Sequence, residues 1–500
     1  MAAERDTALR LRAFLTGKPV ARLEYRPLPV VAPRDRMLAV FLRMGGESSP
    51  WAIAWKRGKS KAEFRSVPEA RRRTDVAGMV AEFGDALSGH FESAGGALRQ
   101  LWLPGGTHAE MLHFIALRYT KAKKAEAALL PRLNRTGRRC NQLFDSTQNP
   151  NSALCGDATV GLKEMFAFPC EPIRENHLGF LLAWIGTGAG SARAQAAKTA
   201  EALSVSTSLD PEVERGIVSD VEGWNEASSE ALRKCHADRI HNVLESELRR
   251  RLELLETAIA VYDDAASENP GAQAISSSSM QEMARFDGSE DFVAQTGIVR
   301  SPETDHSPTT AAMSYADKDA DMIAARAALV PFDRSCQEEL IAEGSAFRGD
   351  VLSIGTVTIG VRTLRTQVVV ATDGGLPLRL RESDSVVVAG DLLGKGVWKI
   401  TQISDEPNRA IRSITLIAQQ ATPTGPALKR GSAGIVFHEK LDAELRRRLA
   451  KMVSSTKSMA ADGMARGAWI LEKLAEREAP DAAPDVEQFD GTKTKVGTDA

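Results

Sequence analysis

Residues 347–420 read FRGDVLSIGTVTIGVRTLRTQVVVATDGGLPLRLRESDSVVVAGDLLGKGVWKITQISDEPNRAIRSITLIAQQ. The stretch contains five or six short runs rich in Val, Ile and Thr, which are residues that pleated strands favour. The turn sequences DGG, GDLLGKG and DEPN separate the runs. Short strands with regular turn signals are typical of small barrels and sandwiches. The sequence therefore predicts a small β-barrel or sandwich over residues 345–422.

Residues 1–125 combine strand and helix patterns. The apolar runs RMLAVFLRM and WAIAWKRG, parted by the turn-like GGESS, predict a β-hairpin, and SKAEFRSVP follows as a third strand. DVAGMVAEFGDALSGHF then changes to a helical period, and LWLPGG returns to a short strand. A helix over THAEMLHFIALRYTKAKKAEAALL completes the pattern. We expect an α+β unit in this part of the chain.

The rest of the chain is mainly helical or polar. A helical domain is predicted over 126–265, and its longest helix carries an apolar stripe at three-to-four spacing: Ile240, Leu244, Leu248, Leu252, Leu255, Ile259 and Tyr262. The other boundaries predict a partly disordered linker at 266–316, a connecting helix at 317–344, C-terminal helices at 423–478 and a disordered tail at 479–500. The whole is a multidomain α+β protein.

The overall composition is that of an ordinary globular protein, with 43% apolar and 26% charged residues and a net charge of −2. This charge predicts no general attraction to nucleic acids or membranes. No run of about eighteen apolar residues is present, so no membrane-spanning helix and no membrane partner are expected. Five cysteines, an odd number, argue against a disulfide framework. We expect a cytoplasmic protein with reduced thiols.

Three cysteines, Cys140, Cys155 and Cys170, follow one another at equal intervals of fifteen residues. Three converging thiols with a further ligand could hold a metal ion or an iron–sulfur cluster. Such sites usually contain a close pair such as C-x-x-C, because two ligands on one tight turn preorganise the site. No such pair is present here, and free cysteines are often buried as small apolar residues. The sequence therefore favours no cofactor, while an enzyme with a metal site near these cysteines remains an alternative.

Basic residues recur along the predicted barrel. A small barrel whose face presents arginines and an aromatic ring can hold single-stranded nucleic acid by phosphate contact and stacking. Alternatively, these residues are merely the solvent-facing positions of half-buried strands. The candidate residues are Arg362, Arg365, Arg379, Arg381, Trp398 and Lys399.

A second basic region lies near the N-terminus. Residues 1–75 contain 17 Lys or Arg residues against 8 Asp or Glu residues. Clustered Lys and Arg side chains raise the affinity for a phosphate backbone through counterion release. The candidate residues here are Lys56, Arg57, Lys59 and Lys61, with Trp51 and Trp55 nearby.

Residues 319–354 read DADMIAARAALVPFDRSCQEELIAEGSAFRGDVLSI and run directly into the predicted barrel. This join resembles one found in uncharacterised bacterial proteins that are encoded near helicase-type ATPases. The resemblance covers about a quarter of the chain and includes no diagnostic catalytic residue. It implies an accessory role in a nucleic-acid-handling system for defence, such as antiphage defence, or for repair. A P-loop is missing from the sequence, so the motor would be a partner protein.

Three functional classes therefore remain open. The first is a non-catalytic accessory protein that binds DNA, RNA or a helicase-type partner. The second is a phage or phage-like structural assembly protein, because small β-barrels with long helical arms also build such assemblies. The third is an enzyme with a metal site near the three cysteines.

Overall fold

The computed structural model describes residues 2–23, 25–29, 31–92, 97–123, 128–149, 152–264, 272–296, 322, 326, 329–330, 333–359, 363–389, 396–405, 410–419 and 428–439. Over these residues the protein is mixed α+β, with a twisted sheet, packed helices and a closed β-barrel. The predicted multidomain α+β class is confirmed.

The described helices are α1 (Ala2–Thr16), α2 (Arg73–Glu92), α3 (Gly106–Tyr119), α4 (Leu130–Thr147), α5 (Ala158–Met165), α6 (Leu178–Ile185), α7 (Gly190–Glu201), α8 (Pro211–Glu226), α9 (Glu230–Asp264), α10 (Ala272–Thr296) and α11 (Arg334–Glu343). Two short 3-10 helices lie at Pro33–Asp35 and Pro172–Asn176.

The described strands are β1 (Val20–Ala21), β2 (Arg36–Arg43), β3 (Pro50–Arg57), β4 (Glu63–Ser66), β5 (Gln100–Leu103), β6 (Cys155–Asp157), β7 (Phe166–Ala167), β8 (Ala346–Ile359), β9 (Thr363–Asp373), β10 (Ser385–Val388), β11 (Val397–Asp405), β12 (Ile411–Ala418) and β13 (Ile435–Glu439).

The first sheet has the strand order β4-β3-β2-β5-β6. Strands β2, β3 and β4 form an antiparallel meander, which confirms the predicted hairpin and its third strand. Strand β5 lies parallel to β2, and β6 lies parallel to β5. Strand β6 falls in the range predicted to be a helical domain, so the sheet crosses the boundary expected at residue 125. Sequence pattern missed this strand because it is only three residues long.

Helices cover both faces of this sheet. Successive side chains of a strand point to opposite faces. Trp55 on β3 packs against Phe83 of α2, whereas the next residue, Lys56, pairs with Glu256 of α9. Helices α2 and α9 therefore lie on opposite sides of the sheet. The apolar stripe predicted on α9 is buried in the same core, as expected for a helix that packs along a sheet.

Part of the predicted linker is helical. Helix α10 lies within the range 266–316, and it packs against α4. Phe286 of α10 lies beneath the Arg139 guanidinium, and Glu290 forms an ion pair with Arg138. Helix α10 thus occupies part of a range that was expected to be a partly disordered linker, and its tertiary contacts stabilise a helix that the serine-rich sequence does not favour. The rest of the linker range, residues 266–271 and 297–316, lies outside the described residues.

The predicted β-barrel is confirmed, and it is closed in the order β10-β11-β12-β9-β8-β13. Strand β13 lies beyond the boundary expected at residue 422, in the range predicted to form C-terminal helices. The helix prediction is wrong at β13 because this strand pairs with both β8 and β10, and that pairing closes the sheet. Residues 440–500, including the rest of the predicted helices and the tail, lie outside the described residues.

Helix α11 connects the two parts of the molecule, within the range predicted for a connecting helix. Asp333 caps its N-terminus by accepting a hydrogen bond from the Ser335 amide at 2.7 Å. The same carboxylate accepts a hydrogen bond from the Tyr25 hydroxyl at 2.9 Å, which ties α11 to the N-terminal region. Within the described part of the chain, no helix is both long and apolar enough to cross a lipid bilayer.

Candidate nucleic-acid interface

Strands β8 and β9 are longer than the barrel that they help to close. Strand β12 pairs with β9 only over residues 367–373, and β13 pairs with β8 only over residues 346–349. Beyond these positions, residues 356–359 of β8 and 363–366 of β9 pair only with each other among the described residues, whereas residues 353–355 still lie opposite the β12-paired residues 367–369 of β9. We call this two-stranded extension the ribbon.

The ribbon is exposed on both faces and carries apolar side chains. Leu364 is 63% exposed, and Ile359 is also accessible to solvent. Acidic residues are missing from the whole stretch 352–367, whose charged residues are Arg362 and Arg365. A two-stranded hairpin is marginally stable on its own in water. An exposed ribbon that carries apolar and basic side chains, and no acidic ones, is typical of a surface that binds a partner.

Cross-strand pairing brings two of the predicted basic residues together. Gln367 of β9 lies opposite Ile417 of β12, which in turn lies opposite Lys399 of β11. Residues directly opposite one another share a face, and so do residues two positions apart on one strand. Arg365 and Lys399 therefore lie on the outer face of the same sheet, two strands apart, or about 10 Å in the pairing direction. We call this surface the basic face.

Of the other predicted barrel residues, Arg379 lies away from this surface. The Arg379 amide donates a hydrogen bond to the Gly344 carbonyl at 2.9 Å, at the end of the barrel where β8 begins. Since Arg365 pairs with Val357 near the far end of β8, roughly 40 Å of strand separates the two arginines. Arg381 is exposed on the loop before β10. Arg362 lies outside the described residues.

The aromatic part of the barrel prediction is wrong. Trp398 is only 3% exposed and belongs to the barrel core. It precedes Lys399 on β11, and consecutive strand residues point to opposite faces. The same pattern that exposes the lysine therefore buries the tryptophan, so its ring cannot stack on a base.

The N-terminal basic residues form a smaller patch. Arg57, Lys59 and Lys61 are exposed on the turn between β3 and β4. Lys56 instead forms an ion pair with Glu256, with Nζ and Oε1 2.8 Å apart. The neighbouring rings of Trp51 and Trp55 are buried in the core beneath the sheet. This turn can attract phosphate by charge, but the two tryptophans offer it no stacking surface.

The three evenly spaced cysteines lie in different segments of the N-terminal region. Cys140 on α4 and Cys155 on β6 are buried among apolar side chains, and burial raises the pKa of both thiols. Cys170 is half-buried, and burial raises the pKa of its thiol to about 11. Within the described ranges, no three His, Cys, Asp or Glu side chains lie where they could hold a metal ion. The described geometry gives these cysteines a packing role.

A segment of the chain covers the place where α/β sheets usually bind ligands. In open α/β sheets, ligands bind beyond the carboxyl ends of the strands where the strand order changes direction. Here that position lies between β2 and β5. Residues 204–208, which we call the strap, run past the carboxyl end of β2, and Ser208 bridges Arg43 in parallel pairing.

Five consecutive carbonyls of the strap accept hydrogen bonds from the protein. The donors are Arg250 to Ser204 (2.5 Å), His108 to Val205 (3.1 Å), Arg251 to Ser206 (3.0 Å), the Arg43 amide to Thr207 (2.7 Å) and Arg251 to Ser208 (3.0 Å). Arg251 is completely buried and also forms an ion pair with Glu247. The strap is therefore fastened by partly buried hydrogen bonds, three of which are charge-assisted.

His108 holds the strap as a neutral ring. Its Nδ1 accepts a hydrogen bond from the Phe41 amide at 3.1 Å, so the proton lies on Nε2 and is donated to the strap. Burial lowers the pKa of His108 to about 3, and the nearby Arg251 charge acts in the same direction. Both ring nitrogens of His108 thus form structural hydrogen bonds. The ring bonds the strap near the carboxyl end of β2, where a catalytic histidine of an α/β sheet would otherwise be expected.

The sequence pattern missed the strap and the ribbon, although it contained signals for both. Arg251 lies on the helical spacing of the buried α9 stripe, three residues after Leu248 and four before Leu255. That spacing marks it as a buried arginine in need of partners. The ribbon is signalled by GTVTI at residues 355–359, an uncharged run at the end of β8, which is longer than the other barrel strands.

Comparison with known proteins identifies no relative. No family model matches the chain, and neither a curated protein nor a solved structure matches it.

We predict that Arg251→Met destabilises the protein by about 3 kcal/mol, because it removes the donor of two strap carbonyls and one of the two arginine partners of Glu247. Arg249→Met is the matched control, since Arg249 is a surface residue of the same helix that pairs with Glu245. We expect the control to cost less than about 1 kcal/mol. Urea unfolding followed by tryptophan fluorescence compares the two, and equal losses would contradict a fastening role for Arg251.

We predict that a single thiol, Cys235, reacts rapidly with a disulfide reagent in the native protein, because it is the one exposed cysteine of the five. Cys140 and Cys155 should react only after unfolding, since burial disfavours their thiolates. Cys235→Ser should remove the fast phase, whereas Cys170→Ser should leave it unchanged. Rapid native-state labelling of Cys140 or Cys155 would show that their surroundings are open to reagents.

Proposed function

We propose that the protein is a cytoplasmic, non-catalytic accessory subunit that binds nucleic acid in a bacterial defence or repair system. In this proposal the ribbon and the basic face form the contact surface. The observation that carries it is the free β8–β9 extension, which is exposed on both faces, lacks acidic residues and joins a face that presents Arg365 and Lys399.

Local charge supports the proposal more than the overall charge does. The whole chain has a net charge of −2 and would not attract nucleic acid generally. Binding would therefore depend on a small area where positive side chains are not offset by carboxylates. Lys and Arg side chains in such an area bind phosphates and release counterions, which makes the affinity depend on salt. The turn with Arg57, Lys59 and Lys61 would add a second, weaker phosphate contact.

A partner protein would supply the motor in this proposal. The join at residues 319–354 resembles proteins encoded near helicase-type ATPases, and the sequence contains no P-loop. The chain would thus hold nucleic acid while the partner ATPase moves along it. Co-purification of the protein with the product of a neighbouring helicase gene tests this part of the proposal separately from nucleic-acid binding.

A second candidate function, structural assembly as in phage particles, has one observation in its favour. The β8 edge over residues 353–359 is without a strand partner on its outer side among the described residues, and it contains no charged residue or proline. Such an edge can add a strand from another subunit. Concentration-dependent filaments or rings that form without nucleic acid would favour this candidate.

We predict that the double variant Arg365→Glu, Lys399→Glu binds a fluorescent DNA duplex at least about tenfold more weakly than the wild type at low salt. The slope of log affinity against log salt concentration should fall by about 2, because two phosphate contacts are lost. Fluorescence anisotropy from 50 to 200 mM salt measures both quantities.

The matched control is Arg334→Glu, Arg379→Glu, which makes the same change in net charge at the opposite end of the barrel. Arg334 lies on α11 and is largely exposed, and Arg379 lies beside Gly344. The control should bind like the wild type. Equal weakening by both variants would mean that only net charge matters and would remove the basic face from the proposal.

A further inference from the structure

We infer that the ribbon enters the major groove of duplex DNA, and that single-stranded nucleic acid and duplex RNA are not its ligands. This inference rests on the proposed function and specifies its ligand. It follows from three observations on the barrel: where its aromatic rings lie, how large the free ribbon is, and which side chains the two ribbon faces present.

The barrel has no ring available for stacking. Proteins that hold single strands combine a basic groove with aromatic side chains on which the bases stack. The range 345–439 contains three aromatic Phe, Trp or Tyr residues, which are Phe347, Trp398 and Phe437. All three belong to the barrel core and are at most 3% exposed. Single-strand binding by stacking is therefore excluded for this surface.

The size of the ribbon matches a groove of B-form DNA. Residues 356–359 extend for about 13 Å at the usual rise of a strand, which exceeds the depth of about 8.5 Å of the major groove. The major groove of B-DNA is about 12 Å wide and admits a two-stranded ribbon. The ribbon can therefore reach the groove floor while the barrel stays outside. The major groove of duplex RNA is too narrow and deep for the same entry.

The two ribbon faces carry different chemistry. One face contains the cross-strand pairs Thr356 with Thr366 and Thr358 with Leu364, and the opposite face contains Val357 with Arg365. Hydroxyl and methyl groups contact base edges and thymine methyls in the major groove, whereas arginine and lysine hold phosphates. The Thr and Leu face thus suits the bases. Arg365 and, at the ribbon base, Lys399 suit the flanking backbone.

The experiment compares one duplex DNA of about 20 base pairs with its single strand and with duplex RNA of the same sequence, using the full chain and fluorescence anisotropy at fixed salt. We expect the duplex DNA to bind at least about tenfold more tightly than either alternative. Equal or tighter binding of the single strand or the RNA would overturn the inference and leave the proposed function intact. Binding to none of the three would overturn the proposed function itself.

A variant tests the groove face directly. Leu364→Asp puts a carboxylate among the bases, and we expect at least a tenfold loss of duplex affinity. Ile411→Asp is the control, because Ile411 is an exposed apolar residue at the other end of the barrel, opposite Asp373. It should bind duplex like the wild type. If Leu364→Asp instead dissociates an oligomer and leaves duplex binding unchanged, the ribbon is an assembly surface and the inference is wrong.

Methylation protection identifies the groove. Guanine N7 lies on the floor of the major groove, so a seated ribbon should protect it from dimethyl sulfate. The protection should be lost with Leu364→Asp and retained with Ile411→Asp. Duplex binding without N7 protection, together with displacement by a ligand of the minor groove, would overturn the assignment to the major groove.

Discussion

The unequal lengths of the barrel strands determine which part of this molecule is left open. Strand β8 has 14 residues and β9 has 11, whereas β10 has 4 and β13 has 5. A barrel closes only where every strand has a neighbour on both sides, so closure here is limited by its shortest members. The two long strands must continue without further partners. The ribbon is thus a direct consequence of the geometry that closes the barrel.

In the N-terminal sheet, the strap covers the place beyond the carboxyl end of β2 where open α/β sheets usually bind ligands. Five carbonyls of the strap are bonded to His108, Arg250, Arg251 and the end of β2. Moving the strap away would break the two hydrogen bonds from the buried Arg251 guanidinium to strap carbonyls, and a buried polar group left unpaired costs about 1 to 3 kcal/mol. The carboxyl end of this sheet therefore acts as a rigid scaffold.

Sequence pattern predicted what depends on local periodicity and missed what depends on long-range pairing. The barrel, the first hairpin and the α9 stripe were predictable because alternation and helical spacing are local properties. Strand β13 and helix α10 were not, since β13 is stable through pairing with β8 and β10, and α10 through Arg138 and Arg139. The burial of Trp398 was predictable in principle, because consecutive residues of a strand point to opposite faces and Lys399 is on the outer face.

The alternation of side chains between the two faces of each strand also limits the kind of recognition that this barrel can perform. All its aromatic rings are used to fill a small core, where Phe347 stacks on Phe437 at 5.1 Å between ring centroids. The outer face is left with aliphatic, hydroxyl and basic side chains, which suit grooves and phosphates more than unstacked bases. In the proposed complex, a ribbon that is marginally stable alone would gain order when the groove encloses it. Part of the contact energy would then be spent on ordering the ribbon, and the proposed complex would combine moderate affinity with strong salt dependence.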